Sequence, residues 1–118
     1  MKFAIVGITV LTTIAPVVSC WKLQLFAHEG YKQIIYEKSG SGSKGCTSLD
    51  EGGEMASGRA NSMKWDGDGF MWGECGITLY VTSNCKGDPI AHNEDSDWNV
   101  PKFTSKAANK AASYKVDC

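Results

Sequence analysis

Apolar and polar residues alternate along much of the chain, and this alternation predicts β-strands. Over residues 21–25, Trp, Leu and Leu alternate with Lys and Gln, which is the period of a strand with one buried face. Residues 28–30 have the composition of a turn and residues 31–36 return as a second strand, so the pair predicts a hairpin. Further strands are predicted at 46–49, 62–65, 76–81, 89–91, 100–103 and 113–116. The chain is therefore predicted to be all-β.

Three segments are predicted to connect the strands. Residues 39–45 read SGSGSKG, which is the composition of a flexible loop. Residues 66–74 read DGDGFMWGE and form a glycine-rich connector that divides the chain after its export segment nearly in half. Residues 106–112 read KAANKAA, which has helical composition but is too short to form a stable helix by itself. We expect a loop there, with one helical turn at the most.

The two halves of the chain repeat one plan. Residues 60–65 read ANSMKW and residues 111–116 read AASYKV, so both place Ser, Lys and a bulky apolar residue at the same spacing. Each half is a strand, a turn, a second strand, an irregular third strand, and a fourth strand entered through Ser. Four antiparallel strands with a long third connection suit a Greek key. Two such motifs packed face to face form a sandwich around one core.

The second half resembles the Greek-key motif of the βγ-crystallins. In that family an aromatic residue in the first strand is followed five residues later by another aromatic and then by x-Gly, and a later Ser bonds back to the folded first hairpin. Tyr80, Cys85, Gly87 and Ser113 match these positions, with Cys in the place of the second aromatic. The resemblance implies structural roles for these residues. Glycine suits a position where φ turns positive, and Ser supplies a short hydroxyl that can bond to the backbone.

The first half is similar to the same motif at fewer positions. Phe26 and Tyr31 match the two aromatics, and Ser62 matches the later Ser. Gln33 stands where glycine is expected, so we expect a different turn geometry there. The resemblance implies a βγ-crystallin-like sandwich of two Greek-key motifs, stabilised by disulfides. The motifs are predicted to span about 21–65 and about 75–118.

The chain also resembles small, secreted, cysteine-containing proteins of filamentous fungi. This likeness rests on CGITLY at 75–80, CKG at 85–87 and SYKVDC at 113–118. Proteins of this kind are commonly effectors or defence toxins. The resemblance therefore implies a role outside the cell, in virulence or in defence.

The N-terminus has the layout of an export signal. Lys2 precedes an apolar run that begins at Phe3, and small and β-branched residues then lead to Ser19. The run is too short and too rich in Thr for a membrane span. We predict a signal peptide over residues 1–20, a single secreted domain over 21–118, and no transmembrane segment. Cleavage after Ser19 would retain Cys20 and cleavage after Cys20 would remove it, and both alternatives remain open.

The cysteines favour two disulfides. The chain has five, of which four remain if Cys20 is removed, and four can pair in an oxidising compartment. In a Greek key the first and fourth strands are antiparallel neighbours. Cys75 at the start of one such strand is therefore predicted to pair with Cys118 at the end of the other, which leaves Cys46 to pair with Cys85.

The charge of the chain argues against nucleic acid as a partner. The sequence has 12 Lys and Arg against 13 Asp and Glu, and removal of Lys2 with the export signal leaves a small acidic excess. A protein that holds nucleic acid needs a basic surface that neutralises phosphates. We expect no nucleic-acid binding.

Few residues suggest a metal site. A βγ-crystallin calcium site has two Asn or Asp residues, two free positions, and then Ser or Thr followed by Ser. In residues 108–113 only Asn109 and Ser113 fit this pattern, and in residues 57–62 only Ser62 fits. Both segments lack the side-chain oxygens that a hard cation needs. We expect no metal at either one.

The chain offers little that predicts catalysis. His28 and His92 are the only histidines in the sequence and both fall in predicted turns, which is too few for a zinc site. Paired cysteines supply no nucleophilic thiolate. The carboxylate pairs Glu51 with Glu54 and Asp95 with Asp97 lie in predicted polar loops, where solvated charges are ordinary. We expect no enzyme activity and no cofactor.

Phe70, Met71 and Trp72 form the candidate partner-binding site. An apolar tripeptide flanked by glycines is unusual in a solvated connector. It either caps the open end of the sandwich or forms an exposed contact patch. Trp72→Ala should spare folding and abolish activity if the tripeptide is a contact patch, and it should impair folding if the tripeptide is a cap.

The first functional hypothesis is a secreted, non-enzymatic, effector-like protein that binds an extracellular protein or glycan of a host or competitor. A second is an antimicrobial or killer-toxin-like protein that acts on a cell wall or membrane. A third is a secreted protease inhibitor that presents residues 39–45. The near-neutral charge counts against the second, since proteins that lyse membranes are usually basic. Flexibility in residues 39–45 would count against the third.

Overall fold

Eight strands make up the regular structure. A computed structural model describes residues 20–53, 55–67, 74–94 and 97–118. In chain order the strands are β1 Cys20–His28, β2 Lys32–Ser41, β3 Lys44–Ser48, β4 Ser62–Asp66, β5 Gly76–Tyr80, β6 Pro89–Asn93, β7 Asp97–Val100 and β8 Ser113–Asp117. Within these ranges the helical structure consists of one short 3-10 turn, Glu51–Gly53.

Several predictions fall wholly or partly outside the described residues, including one member of each carboxylate pair, Glu54 and Asp95. The predicted export signal covers residues 1–20, of which Cys20 alone is described, as the first residue of β1. Phe70, Met71 and Trp72 lie between residues 67 and 74, where the description of the chain is interrupted. In the described part of the chain, no helix has both the length and the apolar character needed to cross a bilayer.

The strands form two four-stranded antiparallel sheets. Sheet one has the order β2-β1-β4-β7, and sheet two has the order β3-β8-β5-β6. In each half the first and fourth strands are neighbours, β1 with β4 and β5 with β8. The all-β sandwich of two Greek-key motifs predicted from the sequence is confirmed.

The third strand of each half lies in the sheet of the other half. β3 belongs to the first half but pairs with β8, where Thr47 lies opposite Tyr114. β7 belongs to the second half but pairs with β4, where Val100 lies opposite Met63. Each sheet therefore needs strands from both halves. The sequence analysis did not predict this exchange.

The core is built from alternate residues of the four central strands. These are Leu23, Leu25, Met63, Trp65, Ile77, Leu79, Tyr114 and Val116, all at most 1% exposed. Trp21 stacks on Trp65 with ring centroids 5.7 Å apart. The Trp21 and Tyr114 rings meet edge to face, with centroids 6.3 Å apart. Aromatic pairs at these distances add to the stabilisation that burial itself supplies.

Residues 39–45 are not the flexible loop that their composition predicted. Residues 39–41 continue β2 and pair with residues 20–22 of β1, and residues 44–45 begin β3. A Cβ at Gly40 would lie 2.6 Å from the ring of Trp21, so this glycine permits close packing of the strand on the indole. The Trp21 Nε1–H donates a hydrogen bond of 2.9 Å to the Gly42 carbonyl. The indole therefore fixes the segment.

The third strand of the second half lies earlier in the sequence than predicted. It spans Asp97–Val100 and not residues 100–103, because it ends before Pro101, which has no backbone N–H to donate. The Pro101 carbonyl instead accepts a hydrogen bond of 2.8 Å from Gly30. His92, which was expected in a turn, lies in β6.

The two serines of the repeat have the roles that the resemblance implied. The Ser62 hydroxyl donates to the His28 carbonyl at 2.7 Å and accepts from the Tyr31 N–H at 3.1 Å. The Ser113 hydroxyl donates to the Thr82 carbonyl and accepts from the Cys85 N–H at 3.1 Å. Both serines are fully buried. Each one joins the start of its fourth strand to the folded hairpin of its own half.

Gln33 adopts the backbone geometry that was expected of glycine. Its φ is 60°, and the matching Gly87 has a φ of 85°. The expectation of another turn geometry in the first half is wrong. A left-handed conformation costs a non-glycine residue roughly 1–2 kcal/mol, so the surrounding hairpin imposes it. Tyr80 ends β5 and is half-buried, with the Lys115 ammonium 5.8 Å from its ring.

Two disulfides join the strands. One links Cys46 to Cys85 and the other links Cys75 to Cys118, which are the pairs expected from the sequence. Cys46 lies in β3 of the first half and Cys85 in the hairpin of the second, so the first bond connects the two halves. The second connects the start of β5 to the residue after β8.

Candidate functional site

An apolar cleft of about 260 Å³ opens between β6 and β7. β6 is an edge strand of sheet two and β7 is an edge strand of sheet one, so the cleft lies along one side of the sandwich. Its apolar lining residues are Ile90, Ala91, Trp98, Val100, Phe103 and Ala107. A concave site with this lining suits an apolar group of a ligand or partner.

The cleft has a buried floor and partly exposed walls. Phe103 and Ala107 are 6% and 5% exposed and belong to the core. Ile90, Trp98 and Val100 are half-buried and pack against that core from the two edge strands. An incoming group would therefore cover apolar surface that is still open to water.

The chain after β7 places the floor of the cleft. Val100 is the last residue of β7, because Pro101 has no N–H to continue the strand. The backbone then bends at residues 101–102. The Phe103 N–H donates to the Asn61 carbonyl at 2.9 Å, which ties this residue to the start of β4. The Ala107 N–H donates to the Thr104 carbonyl at 2.9 Å and closes a turn. These backbone bonds hold the floor in position independently of any ligand.

Two residues supply the polar lining of the cleft, Thr104 and His92. His92 Nδ1 is hydrogen-bonded to the Thr78 hydroxyl at 2.7 Å, and His92 Nε2 lies 3.2 Å from Glu94 Oε2. Both ring nitrogens are thus engaged on the outer face of sheet two. Because Thr78 is 6% exposed, its hydroxyl is shielded from a reactant. The arrangement favours binding over nucleophilic chemistry.

The opposite side of the sandwich, between β2 and β3, is closed. Tyr36 on β2 is 3% exposed, and its hydroxyl is hydrogen-bonded to the Tyr114 hydroxyl at 2.9 Å. The two rings meet edge to face with centroids 5.8 Å apart. Burial, and then the hydrogen bond to Tyr36, raise the pKa of Tyr114 well above its ordinary value. The two phenol rings therefore fill this side.

A second, polar groove of about 400 Å³ lies on the outer face of sheet one. Lys22 Nζ lies 3.1 Å from Glu37 Oε2, and Gln24 Nε2 donates to the same carboxylate at 2.9 Å. The Lys64 ammonium lies 4.6 Å from the centroid of the Tyr31 ring. These groups interact with one another at exposed positions, which is the usual state of a solvated sheet face.

The described ranges contain no cluster of three or more His, Cys, Asp or Glu side chains placed to hold a metal ion. The hydroxyls of Ser62 and Ser113 are engaged in the hairpins. The Asn109 Oδ1 accepts a hydrogen bond of 2.8 Å from the Asn61 Nδ2. The absence of calcium binding stays a prediction, and a calorimetric titration of the purified protein with calcium tests it.

The structure separates the predicted site residues from the cleft. Tyr80, Gly87, Ser62 and Ser113 belong to the folded hairpins, and the four paired cysteines join strands. The tripeptide at 70–72 lies outside the described residues. Sequence reasoning missed Ala91 and its neighbours. A match of the two halves at the offset of the hairpins, 54 residues, aligns Tyr36 with Ile90. The strand registers are needed to show that Ala91 stands where the first half has a tyrosine.

Comparisons with known proteins support the fold alone. No family model matches the chain, and no curated protein matches it in sequence. It is similar in structure to a βγ-crystallin domain from Clostridium beijerinckii, with a TM-score of 0.55 and 16% sequence identity over 80% of this chain and 95% of that one. The βγ-crystallin-like fold predicted from the sequence is confirmed.

Proposed function

We propose that the protein is secreted, has no enzyme activity, and acts outside the cell by binding a molecule of a host or competitor in the cleft between β6 and β7. The observation that carries this proposal is the cleft itself. It is an apolar opening of about 260 Å³ in a sandwich whose opposite side is filled by Tyr36. An unfilled apolar site on a rigid scaffold is a common form of a binding site.

The disulfides support a site of action outside the cell. Bonds of this kind form and persist in oxidising compartments and are rare where thiols are kept reduced. Cys46–Cys85 connects the two halves, and Cys75–Cys118 fastens the end of β8 to β5. Together with the export pattern at residues 1–20, they favour an effector-like secreted protein.

The lining of the cleft favours binding over catalysis. Apolar side chains dominate it, and its imidazole, His92, is hydrogen-bonded on both nitrogens. A general acid or base must reach a reacting group within hydrogen-bond distance. The cleft offers no pair of carboxylates and no thiolate among its lining residues.

The inhibitor hypothesis receives less support. A protease inhibitor presents an exposed loop that enters an active site, but residues 39–41 are paired with β1, and the Gly42 carbonyl accepts from Trp21. Residues 39–41 therefore lie in sheet one and residues 44–45 lie in sheet two, so the segment is part of two strands and does not form a projecting loop. The contact patch predicted at Phe70, Met71 and Trp72 stays a prediction, which Trp72→Ala tests.

The proposed function is tested by comparing three forms of the purified protein on plant tissue, on competing fungi and with a panel of proteases. Ala91→Tyr fills the cleft, and Ile34→Tyr adds the same side chain at an exposed position on β2, outside the cleft. We expect the wild-type protein and Ile34→Tyr to act in the tissue or fungal assay and Ala91→Tyr to be inactive.

Folding of each form is checked by the dispersion of its amide NMR spectrum. A folded Ala91→Tyr protein with wild-type activity would contradict a role for the cleft. Activity against proteases alone would favour the inhibitor hypothesis in its place.

A further inference from the structure

We propose that the cleft receives an aromatic side chain of an extracellular protein partner, and that phenylalanine fits it better than tyrosine. This inference rests on the proposed function and names the chemistry of its ligand. Its basis is internal: the other half of the molecule fills the equivalent space with an aromatic ring of its own. The first half of the chain therefore indicates which kind of side chain the cleft receives.

The strand registers establish the equivalence. Leu25 of β1 lies opposite Tyr36 on one neighbouring strand and opposite Met63 on the other. Leu79 of β5 lies opposite Ala91 on one neighbouring strand and opposite Tyr114 on the other. Tyr36 and Ala91 thus occupy the same place in the two halves.

The same registers relate the neighbouring walls. Val100 lies opposite Met63, as Thr47 lies opposite Tyr114, so Val100 and Thr47 are also equivalent. The two sides of the sandwich therefore have matching strand positions, and at one of these positions the first half has the ring of Tyr36 where the second half has Ala91.

The missing ring explains the cleft. In the first half the Tyr36 side chain reaches into the sandwich and is 3% exposed. In the second half the methyl group of Ala91 leaves that space open, and the cleft of about 260 Å³ lies there. Trp98 and Phe103 flank it, and aromatic faces and edges are favourable contacts for a further ring. The space is thus shaped for an aromatic group.

The inner end of the space distinguishes phenylalanine from tyrosine. In the first half the Tyr36 hydroxyl finds the Tyr114 hydroxyl at 2.9 Å. The residue equivalent to Tyr114 is Met63, which has no hydroxyl to offer. A phenol inserted to the same depth would lose hydrogen bonds to water and would lack the partner that Tyr114 supplies in the first half. A thioether, in contrast, is a favourable neighbour for an apolar ring.

The position of the cleft favours a side chain over a free molecule. It opens between two edge strands, and an edge strand presents backbone groups that are not paired within its own sheet. A polypeptide that inserts a ring can bond to such groups, as in strand-addition complexes. A free aromatic molecule would gain nothing from these edges. The geometry therefore points to a ring that is attached to a backbone.

The test is an NMR titration of the isotope-labelled protein. N-acetyl-phenylalaninamide is compared with N-acetyl-tyrosinamide, N-acetyl-leucinamide and toluene, and the signals followed are the amides of Ala91 and Val100 and the indole N–H of Trp98. We expect the phenylalanine amide to shift these signals with a dissociation constant of about 10 mM, which corresponds to the burial of a single ring. Binding of the tyrosine amide should be at least about fivefold weaker, because its hydroxyl is desolvated.

Variants show whether the shifts arise in the cleft. Ala91→Tyr should abolish the shifts, and Ile34→Tyr should leave them unchanged. If Ala91→Tyr does not fold, Ala91→Leu is used in its place and should weaken the shifts. Absence of shifts with the phenylalanine amide at its solubility limit would overturn the proposal. A tyrosine amide that binds equally well would overturn the preference for phenylalanine. Stronger binding of toluene than of the phenylalanine amide would assign the cleft to a free small molecule.

The outcomes separate this inference from the proposed function. Biological activity that depends on Ala91 without any binding of the phenylalanine amide would refute the aromatic side chain and leave the proposed function standing. Binding of the phenylalanine amide, together with full activity of Ala91→Tyr, would refute the proposed function while the cleft remained a site for the ring.

Discussion

In the first half of the molecule the folded hairpin between β1 and β2 carries Tyr31 and Gln33. The hairpin between β5 and β6 carries Cys85 and Gly87 at the same places. All four residues have positive φ, from 57° to 85°. The two hairpins thus share one backbone shape, although only one of the four residues is a glycine. Local preference alone does not explain this shape. In each half a serine hydroxyl bonds to one carbonyl and one N–H of the hairpin and so supports it.

The halves reach the shape with different supports. In the first half the Tyr31 ring packs on Phe26, with centroids 5.7 Å apart, and Gln33 accepts the strain of a left-handed backbone. In the second half Cys85 is held covalently by Cys46, and Gly87 carries no such strain. We infer that one of two matching turns can contain a residue that disfavours positive φ, such as Gln33, when nearby contacts specify the backbone geometry.

The largest expected effect concerns the closed side of the sandwich. Tyr36→Ala should lower the free energy of unfolding by about 3–5 kcal/mol, since it removes a buried aromatic side chain and leaves a cavity. It would also make the first half resemble the second, which has Ala91 at this place. Guanidinium unfolding followed by tryptophan fluorescence measures the change.

Tyr36→Phe is the matched control for this comparison. It keeps the ring and removes the hydroxyl that is hydrogen-bonded to Tyr114, which should cost about 0.5–1.5 kcal/mol. If Tyr36→Ala cost no more than Tyr36→Phe, the ring would not be what closes this side.

The next effect concerns the two serines. Ser62→Ala and Ser113→Ala should each cost about 1–3 kcal/mol, because each leaves a backbone N–H and a carbonyl of the hairpin without their partner. The local consequence should differ between the halves. The Tyr31 amide should exchange with deuterium much faster in Ser62→Ala, whereas the Cys85 amide in Ser113→Ala is still restrained by its disulfide. Equal acceleration at both amides would show that the disulfide gives no local support.

Exchanging the residues at the matching turn positions, Gln33 and Gly87, should change the free energy of unfolding by a smaller amount. The change should be stabilising in the first half and destabilising in the second. Gln33→Gly should stabilise the protein by about 0.5–1 kcal/mol. The substitution relieves the strain of the left-handed backbone, but glycine loses more conformational entropy on folding, which offsets part of the gain. Gly87→Gln should destabilise it by about 0.5–1 kcal/mol, because the same two contributions apply with their signs reversed. A Cβ at Gly87 would meet no atom within 4 Å, so the cost there is one of backbone conformation. Chemical denaturation measures both, and a destabilised Gln33→Gly would mean that the Gln33 side chain makes a favourable contact.

The last prediction concerns the ionisation of Tyr114, which affects the free energy of unfolding only in alkaline solution. Because its pKa is raised by burial, the folded protein keeps the phenol proton after the unfolded chain has lost it. Its stabilising contribution is therefore intact below about pH 10, the ordinary pKa of tyrosine, and is lost as the pH rises further. Met63, its counterpart in the first half, does not titrate.

Urea unfolding between pH 8 and pH 11 checks this prediction. Tyr114→Phe should unfold with a weaker pH dependence than the wild-type protein. An unchanged dependence would assign the alkaline loss of stability to other residues.

Sequence reasoning reached the fold through features that repeat locally. Alternation placed the central strands, and the two Ala-x-Ser-x-Lys segments identified the fourth strand of each half. It failed at Gly40, where a run of Gly and Ser was interpreted as flexible although Gly40 packs on Trp21. It also missed the exchange of β3 and β7, because a strand of four or five residues carries no information about which sheet it joins.

The cleft was missed for a different physical reason. It exists because Ala91 is small, and an apolar residue of any size fits the same alternating pattern. Its walls come from residues brought together by the exchange of β7 into sheet one, which the sequence did not reveal. A site made by a missing side chain becomes visible when the halves are compared in register.

The exchange of strands also determines when the chain can fold. β8 comes last along the described chain, yet it lies inside sheet two between β3 and β5. A ribosome delivers residues in order, so β3 is made long before the strand with which it pairs. Sheet two can assemble when residues 113–117 emerge, and the many pairings between distant parts of the chain make that assembly slow. Until then β3 lacks the strand with which it pairs in sheet two.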